Sequence, residues 1–304
     1  MNWLLITILA YFLLAITAEV DKFLLDKVLS SSRAYAFLIC SLSALVLLIA
    51  PWYLSWPGWS GLVLALASGF SFCAALVFMF EALRWGEASR MTVVTGGFVA
   101  IFSLILSILF LHASFSLTQV IGMLFMLGGI FLIALISSGQ TKKIVTNKKA
   151  FYFSLLSGLL FALSFIGTKY VYSSQNALSG FIWIRIGSVI LSLLFLLRAK
   201  DRADILASFK PGPKTEKFSR QFLILGNQGL GAIAFVLQNY AIFLGPVAII
   251  NALQGVQYAF LLIFGLILTA FYPNIIKENV SRPIVIKKIL AIVLISIGLY
   301  FVSI

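Results

Sequence analysis

The chain has 304 residues, of which 62% are hydrophobic and 10% charged, with a formal net charge of +13. Its mean hydropathy of +1.10 and sparse charge set it far from the roughly 25% charged composition of soluble domains, which excludes a soluble enzyme or binding domain. The positive charge lies in gaps between long apolar runs without interleaved aromatic residues, so no nucleic acid is expected as a partner and anionic lipid head groups are.

A membrane-spanning helix needs about 20 apolar residues, and runs of that length recur at roughly 3–25, 33–53, 61–83, 90–111, 117–137, 151–172, 179–198, 221–243, 246–271 and 286–303. They are continuous rather than alternating, which excludes a β-barrel and predicts an all-α polytopic membrane protein with ten transmembrane helices. The first run has no basic leader and no cleavage site, so it reads as an uncleaved span ending in Glu19, Asp21 and Lys22. Cys40 and Cys73 sit inside runs two and three with neither metal-ligand spacing nor a nearby His; they read as packing residues, and no metal or cofactor is expected. Run three ends at Glu81 and run four opens with Thr92, Thr95, Gly96 and Gly97. Run six carries Lys169 near its end, and run seven has Arg185 as its seventh residue. Asn227, Gln228, Gln238 and Asn239 punctuate run eight, and run nine holds Asn251, Gln254, Gln257 and Tyr258.

Of the 22 Lys and Arg, 19 fall in alternate gaps between the runs. By the positive-inside rule the odd-numbered gaps are cytoplasmic and both termini external, in a bacterial inner membrane.

The basic segment 141–150 divides the chain into 1–140 and 151–304, and the two sides overlay. Lys22 falls on Lys169, Ala82 and Gly86 on Ala241 and Gly245, Gly129 on Gly298, and Gly122 on Ala291. Five spans is an odd number, so the second copy is inserted upside down: two inverted five-helix repeats. Such repeats place a substrate site near the midplane between the halves, with alternating access arising as one half rocks against the other.

The stretch Glu81-Ala82-Leu83-Arg84-Trp85-Gly86-Glu87-Ala88-Ser89-Arg90, followed by Ser116-Leu117-Thr118-Gln119-Val120-Ile121-Gly122 and Gly128-Gly129, resembles the EamA-type repeat of the drug/metabolite transporter superfamily. Ala241-Ile242-Phe243-Leu244-Gly245-Pro246-Val247-Ala248 repeats it in the second half. The resemblance implies ten spans, two inverted repeats and secondary transport of small metabolites, often export. The repeat commonly carries a Gly-Glu pair at the end of its fourth span. Here His112-Ala113-Ser114 stands there, with Phe271-Tyr272-Pro273 in the second half, so that glutamate's role does not carry over. The family usually keeps both termini in the cytoplasm, opposite to what the charges of this chain indicate.

An ionised side chain at mid-membrane costs about 2.5–3.5 kcal/mol on insertion scales, so Lys22, Lys169 and Arg185 need an account. Arg185 either snorkels to the interface, roughly 9 Å along its helix, or anchors a carboxylate or phosphate through its guanidinium fork. Lys22 and Lys169 occupy equivalent places in oppositely directed helices and would flank a cavity from its two ends. Glu19 shares a helical face with Lys22 and can neutralise it, whereas Lys169 has no acidic neighbour in sequence. Glu81 either pairs with Arg84 at the surface or, like Glu19, serves ion coupling. Asn251, Gln254 and Tyr258 follow i, i+3, i+7 and share a face, with Gln257 at its margin. Amides in membranes often only bridge helices, at around 0.6 kcal/mol each. Four polar groups on one stripe suit a substrate-binding wall, with Thr92 and Thr95 at the matching positions of run four.

No base, nucleophile and orienter occur together and no P-loop is present, so neither catalysis nor ATP hydrolysis is expected. The function these features point to is secondary transport of a small metabolite or amphipathic compound, in a monomer or a homodimer. The alternatives are a flippase for a lipid or lipid-linked carrier and a membrane scaffold that moves nothing. A flippase predicts a cavity open sideways to lipid with polar groups at one end, and a scaffold predicts amides packed helix to helix with no cavity.

Overall fold

The computed structural model describes residues 2–27, 31–85, 88–136, 148–208, 214–271 and 282–303, which are almost entirely helical and contain no strand. Helix α1 runs Asn2–Lys27. Helix α2 starts as Ser32–Leu42, tightens to a 3-10 stretch over Ser43–Ile49 and ends in Ala50–Tyr53. Next come α3 (Gly58–Trp85), α4 (Ala88–Leu111), α5 (Leu117–Ile136) and α6 (Lys148–Ser174). Helix α7 (Ala177–Leu194) is followed by the short surface helix Ala199–Ser208 and then by α8 (Lys214–Leu244). Helix α9 comes in two pieces, Val247–Ala252 and Gln254–Phe271, and α10 is Arg282–Ser303.

The turns follow from local chemistry. Gly58 opens α3 at φ 75, a left-handed conformation that costs glycine little. Asn176 caps α7 by accepting a 2.9 Å bond from the Leu178 N–H, which satisfies one of the orphan donors of a helix start. Pro246 precedes α9, where its missing N–H deprives the helix of nothing.

Among the described residues eight helices are long and apolar enough to cross a membrane. Of the other two, α1 is described as an apolar helix over Asn2–Ala18, and α8 opens with Lys214, Lys217 and Arg220. Helices α1 and α8 pack against each other. Their polar groups meet in that contact. Gln238 donates from Nε2 to the Tyr11 hydroxyl at 3.3 Å, and Asn227 donates from Nδ2 to the Thr17 carbonyl at 3.4 Å.

Helices from the two sides of the linker interleave. The second-half helix α6 lies against α3 and α4, and α7 also lies against α3; the first-half helix α1 packs on α8 and α9. One lobe thus contains α2, α3, α4, α6 and α7, the other α1, α8 and α9, with α5 and α10 paired beside them. Each lobe therefore holds helices from both sequence halves. Association of helices in lipid relies on close van der Waals approach. The α5–α10 contact shows it: a Cβ on Gly122 would stand 2.7 Å from the Gly298 carbonyl oxygen, and one on Gly129 would stand 3.0 Å from that of Ala291.

Candidate functional site between the lobes

Arg185 occupies the seam between the lobes. Helix α7 carries it one turn after Phe181, and the side chain is only 4% exposed, too deep to snorkel. Three phenyl rings surround it: Phe72 of α3 at 4.4 Å from the guanidinium carbon, Phe235 of α8 at 4.5 Å and Phe181 at 5.3 Å. The Phe72 and Phe235 centroids are 4.9 Å apart, so both rings lie on one side of the cation and leave its other side free of them. The buried Nε has no hydrogen-bond partner, and among the described residues no carboxylate pairs with the guanidinium. Each cation–π contact contributes about 0.5–2 kcal/mol, against several kcal/mol for taking an ion out of water. The rings do not offset that penalty alone.

Lys169 is committed to the backbone. Its ammonium donates to the carbonyls of Ile242 and Phe243 at 2.9 Å and of Gly245 at 3.0 Å. These are orphan acceptors at the C-terminus of α8, where a cation also meets the negative end of the helix dipole. Lys169 therefore ties α6 of one lobe to the α8–α9 turn of the other. The next turn adds a second tie, from the Tyr172 hydroxyl to Asn239 Oδ1 at 3.2 Å.

Helices α4 and α9 form the rest of the seam. Asn251 donates from Nδ2 to the Ser103 hydroxyl at 2.7 Å, and the Tyr258 hydroxyl donates to the Thr92 carbonyl at 2.9 Å. Gln254 lies over Gly96, where a Cβ would stand 3.0 Å from its amide carbon. Gln257 donates to the Leu14 carbonyl of α1 at 3.2 Å. The matched stripes of runs four and nine thus touch directly instead of lining opposite walls of an open space. The Oδ1 of Asn251, the Oε1 of Gln257 and the Oγ1 of Thr95 are buried without a hydrogen-bond partner.

A cavity of about 450 Å³ opens beside the ends of α4 and α6 and the start of α9, lined by Ser107, Phe110, His112, Lys169, Tyr170, Ser173 and Pro246 among others. Glu81 lies away from the seam in a loose 3.8 Å pair with Arg84. The side chains of Glu19 and Lys22 lie outside the described residues.

The structure brings Arg185, Lys169, Asn251, Gln254, Gln257, Tyr258, Thr92 and Thr95 to one seam. Sequence reading missed Phe72, Phe181, Phe235, Ser103 and Tyr172, whereas Asn239 is among the polar residues that punctuate run eight. Only Phe181, at i−4 from Arg185, had a signal to give; the others meet through tertiary contact.

No curated protein matches the chain. Among solved structures it is similar to one known from a crystal structure, with a TM-score of 0.64 at 15% identity over 99% of this chain and 95% of that one, which shows a shared fold alone. Residues 1–135, the N-terminal five helices of this multi-pass membrane protein, match the EamA-like transporter family, which lies in the drug/metabolite transporter superfamily.

Proposed function

We propose that the chain is a secondary transporter, working as an exporter, that moves a small polar or amphipathic solute by alternating access. Its frame is ten transmembrane helices in two inverted five-helix repeats. The α5–α10 contacts support the repeat. Residues 122 and 129 correspond to 291 and 298 by sequence, and that exchange turns the contact of Gly122 with Gly298 into that of Ala291 with Gly129. The contact set is its own image, as a twofold axis between antiparallel helices requires.

The partnerless oxygens of Thr95 and Asn251 at the α4–α9 seam, with that of Gln257 where α9 meets α1, carry the functional reading. A buried polar atom without a partner costs about 1–3 kcal/mol, and a permanent helix joint has no reason to hold several. They are accounted for if the seam parts and admits water or solute during the working cycle. The lobes then separate about α4 and α9, while Lys169 and the Tyr172–Asn239 bond fasten the end nearest the α8–α9 turn.

The test needs no knowledge of the solute. Gln254→Cys, in a background carrying Cys40→Ala and Cys73→Ala, is treated with a membrane-impermeant maleimide in right-side-out and in everted vesicles. Labelling from both faces is expected. Labelling from neither supports a scaffold, and labelling from one face alone rejects alternating access.

One observation favours the flippase as a second reading. The cavity beside Lys169 has Phe110 and Tyr170 in its wall, 61% and 54% exposed, so it faces the lipid with its cation and Ser173 at hand. Faster transbilayer movement of a fluorescent phospholipid in proteoliposomes would select it.

A further inference from the structure

We propose that Arg185 is the binding point for an organic monoanion, a carboxylate attached to an apolar body. The inference rests on the carrier reading for the route by which the anion arrives, but not for the site itself. A guanidinium presents its N–H groups in its own plane as a fork that fits a carboxylate with two parallel bonds. Here the Nε is buried without an acceptor, the side chain is 4% exposed, and no described carboxylate pairs with it. A fixed structural cation at this depth is normally paired. Phe72 and Phe235 cover one side of it, so the rings fix its attitude without consuming its donors. One cation without a described counter-charge calls for one negative charge on the ligand. The phenyl side chains around it call for an apolar remainder: Phe161 lies 5.7 Å from Phe72, and Phe165 lies 6.1 Å from Phe161.

The enclosing rings also say how the site opens. Phe72 and Phe181 belong to the lobe that carries Arg185, whereas Phe235 comes from α8 of the other. Withdrawal of α8 removes Phe235 from the guanidinium and uncovers it, which ties anion access to separation of the lobes.

The test compares benzoate with its neutral isostere benzamide, at equal concentration, on the thermal unfolding of the purified full-length protein in nanodiscs. Benzoate is expected to raise the midpoint and benzamide to leave it unchanged, since only a ligand bound to the folded form stabilises it. Equal shifts, or none from either, overturn the proposal, and this comparison needs no variant. Arg185→Met relieves the uncompensated charge, so without ligand it is expected to unfold at a higher temperature than the parent and to ignore benzoate. A lower midpoint for Arg185→Met would show that the arginine is a structural strut and sink the proposal. Arg185→Lys keeps the charge but loses the fork, and benzoate binding is expected to weaken about tenfold. The site and the carrier fail separately. Benzoate binding with Gln254→Cys unlabelled from one face leaves the site and removes the carrier, whereas two-faced labelling with no preference for benzoate leaves the carrier and removes the site.

Discussion

At the scale of single residues, two positions show how chemistry outside the usual preference is accommodated. His112 adopts φ 49 just past the end of α4, and the Ala113 N–H reaches back to the Ser107 carbonyl at 3.1 Å. The bond closes seven residues, one more than the 6→1 closure of a Schellman motif, around a left-handed residue at a place glycine usually fills. The segment His112-Ala113-Ser114 lies where the EamA-type repeat it resembles commonly carries a Gly-Glu pair. A left-handed L-residue costs about 1–2 kcal/mol, part of which glycine returns through its greater freedom when unfolded. His112→Gly is therefore expected to leave thermal stability unchanged or raise it by up to about 1 kcal/mol. His112→Val, whose branched Cβ resists this conformation, should lower it by a further 1 kcal/mol or so. Equal midpoints for the two variants would show that the turn is held by other contacts. Arg185 is the second such position. Snorkelling and ligand binding were both open from its place in run seven, and only the rings of α3 and α8 decide against snorkelling.

At the scale of elements, hydropathy located the helices well because lipid leaves a backbone segment no partner but itself. Runs 90–111 and 179–198 differ from the observed α4 and α7 by only a few residues at either end. Two features were not legible. The 3-10 stretch of α2 contains no glycine or proline, and the break of α9 at Leu253 has only Gly255 beside it, one glycine among many in the spans; at the break, the Val256 N–H turns to the Leu253 carbonyl at 2.9 Å. The polar stripe of run nine was visible, but periodicity states which residues share a face and not what that face meets. It meets α4. Glycine positions divide in the same way. Gly298 faces the Gly122 carbonyl, and a Cβ there would stand 2.6 Å from that oxygen, whereas a Cβ on Gly128 in the same helix pair meets nothing within 4 Å. Gly298→Ala should thus destabilise by about 1–3 kcal/mol, because backbone cannot yield as a side chain can. Gly128→Ala should gain up to about 1 kcal/mol from helix propensity. Thermal unfolding in one detergent separates them, and equal effects would mean that α5 and α10 do not meet in this register.

At the scale of the whole molecule, interleaving of the two halves determines what orientation in the membrane means for function. The twofold relation proposed between inverted halves would make the fold indifferent to being flipped, so that loop charge and not packing would choose the cytoplasmic face. The ends of the helices divide cleanly. Arg33, Arg84, Lys148, Lys149 and the Ala199–Ser208 helix lie on one side, with Arg33 paired to Asp201 at 2.7 Å, and the turns at 54–57, 112–116 and 175–176 on the other carry no Lys or Arg. Each basic residue near a cytoplasmic surface of anionic lipid contributes about 1 kcal/mol, whereas Lys169, near the opposite face, is held by backbone carbonyls. Helix α10 begins at Arg282 among basic residues and ends at Ser303 on the other side, so the C-terminus should be external. Alkaline phosphatase fused after Ile304, active only in the periplasm, is expected to be active, and a fluorescent protein that folds only in the cytoplasm is expected to be dark there. The reverse pattern would place the Lys169 tie and the cavity beside it at the cytoplasmic face, and the end of the seam fastened in this structure would then be the inner one.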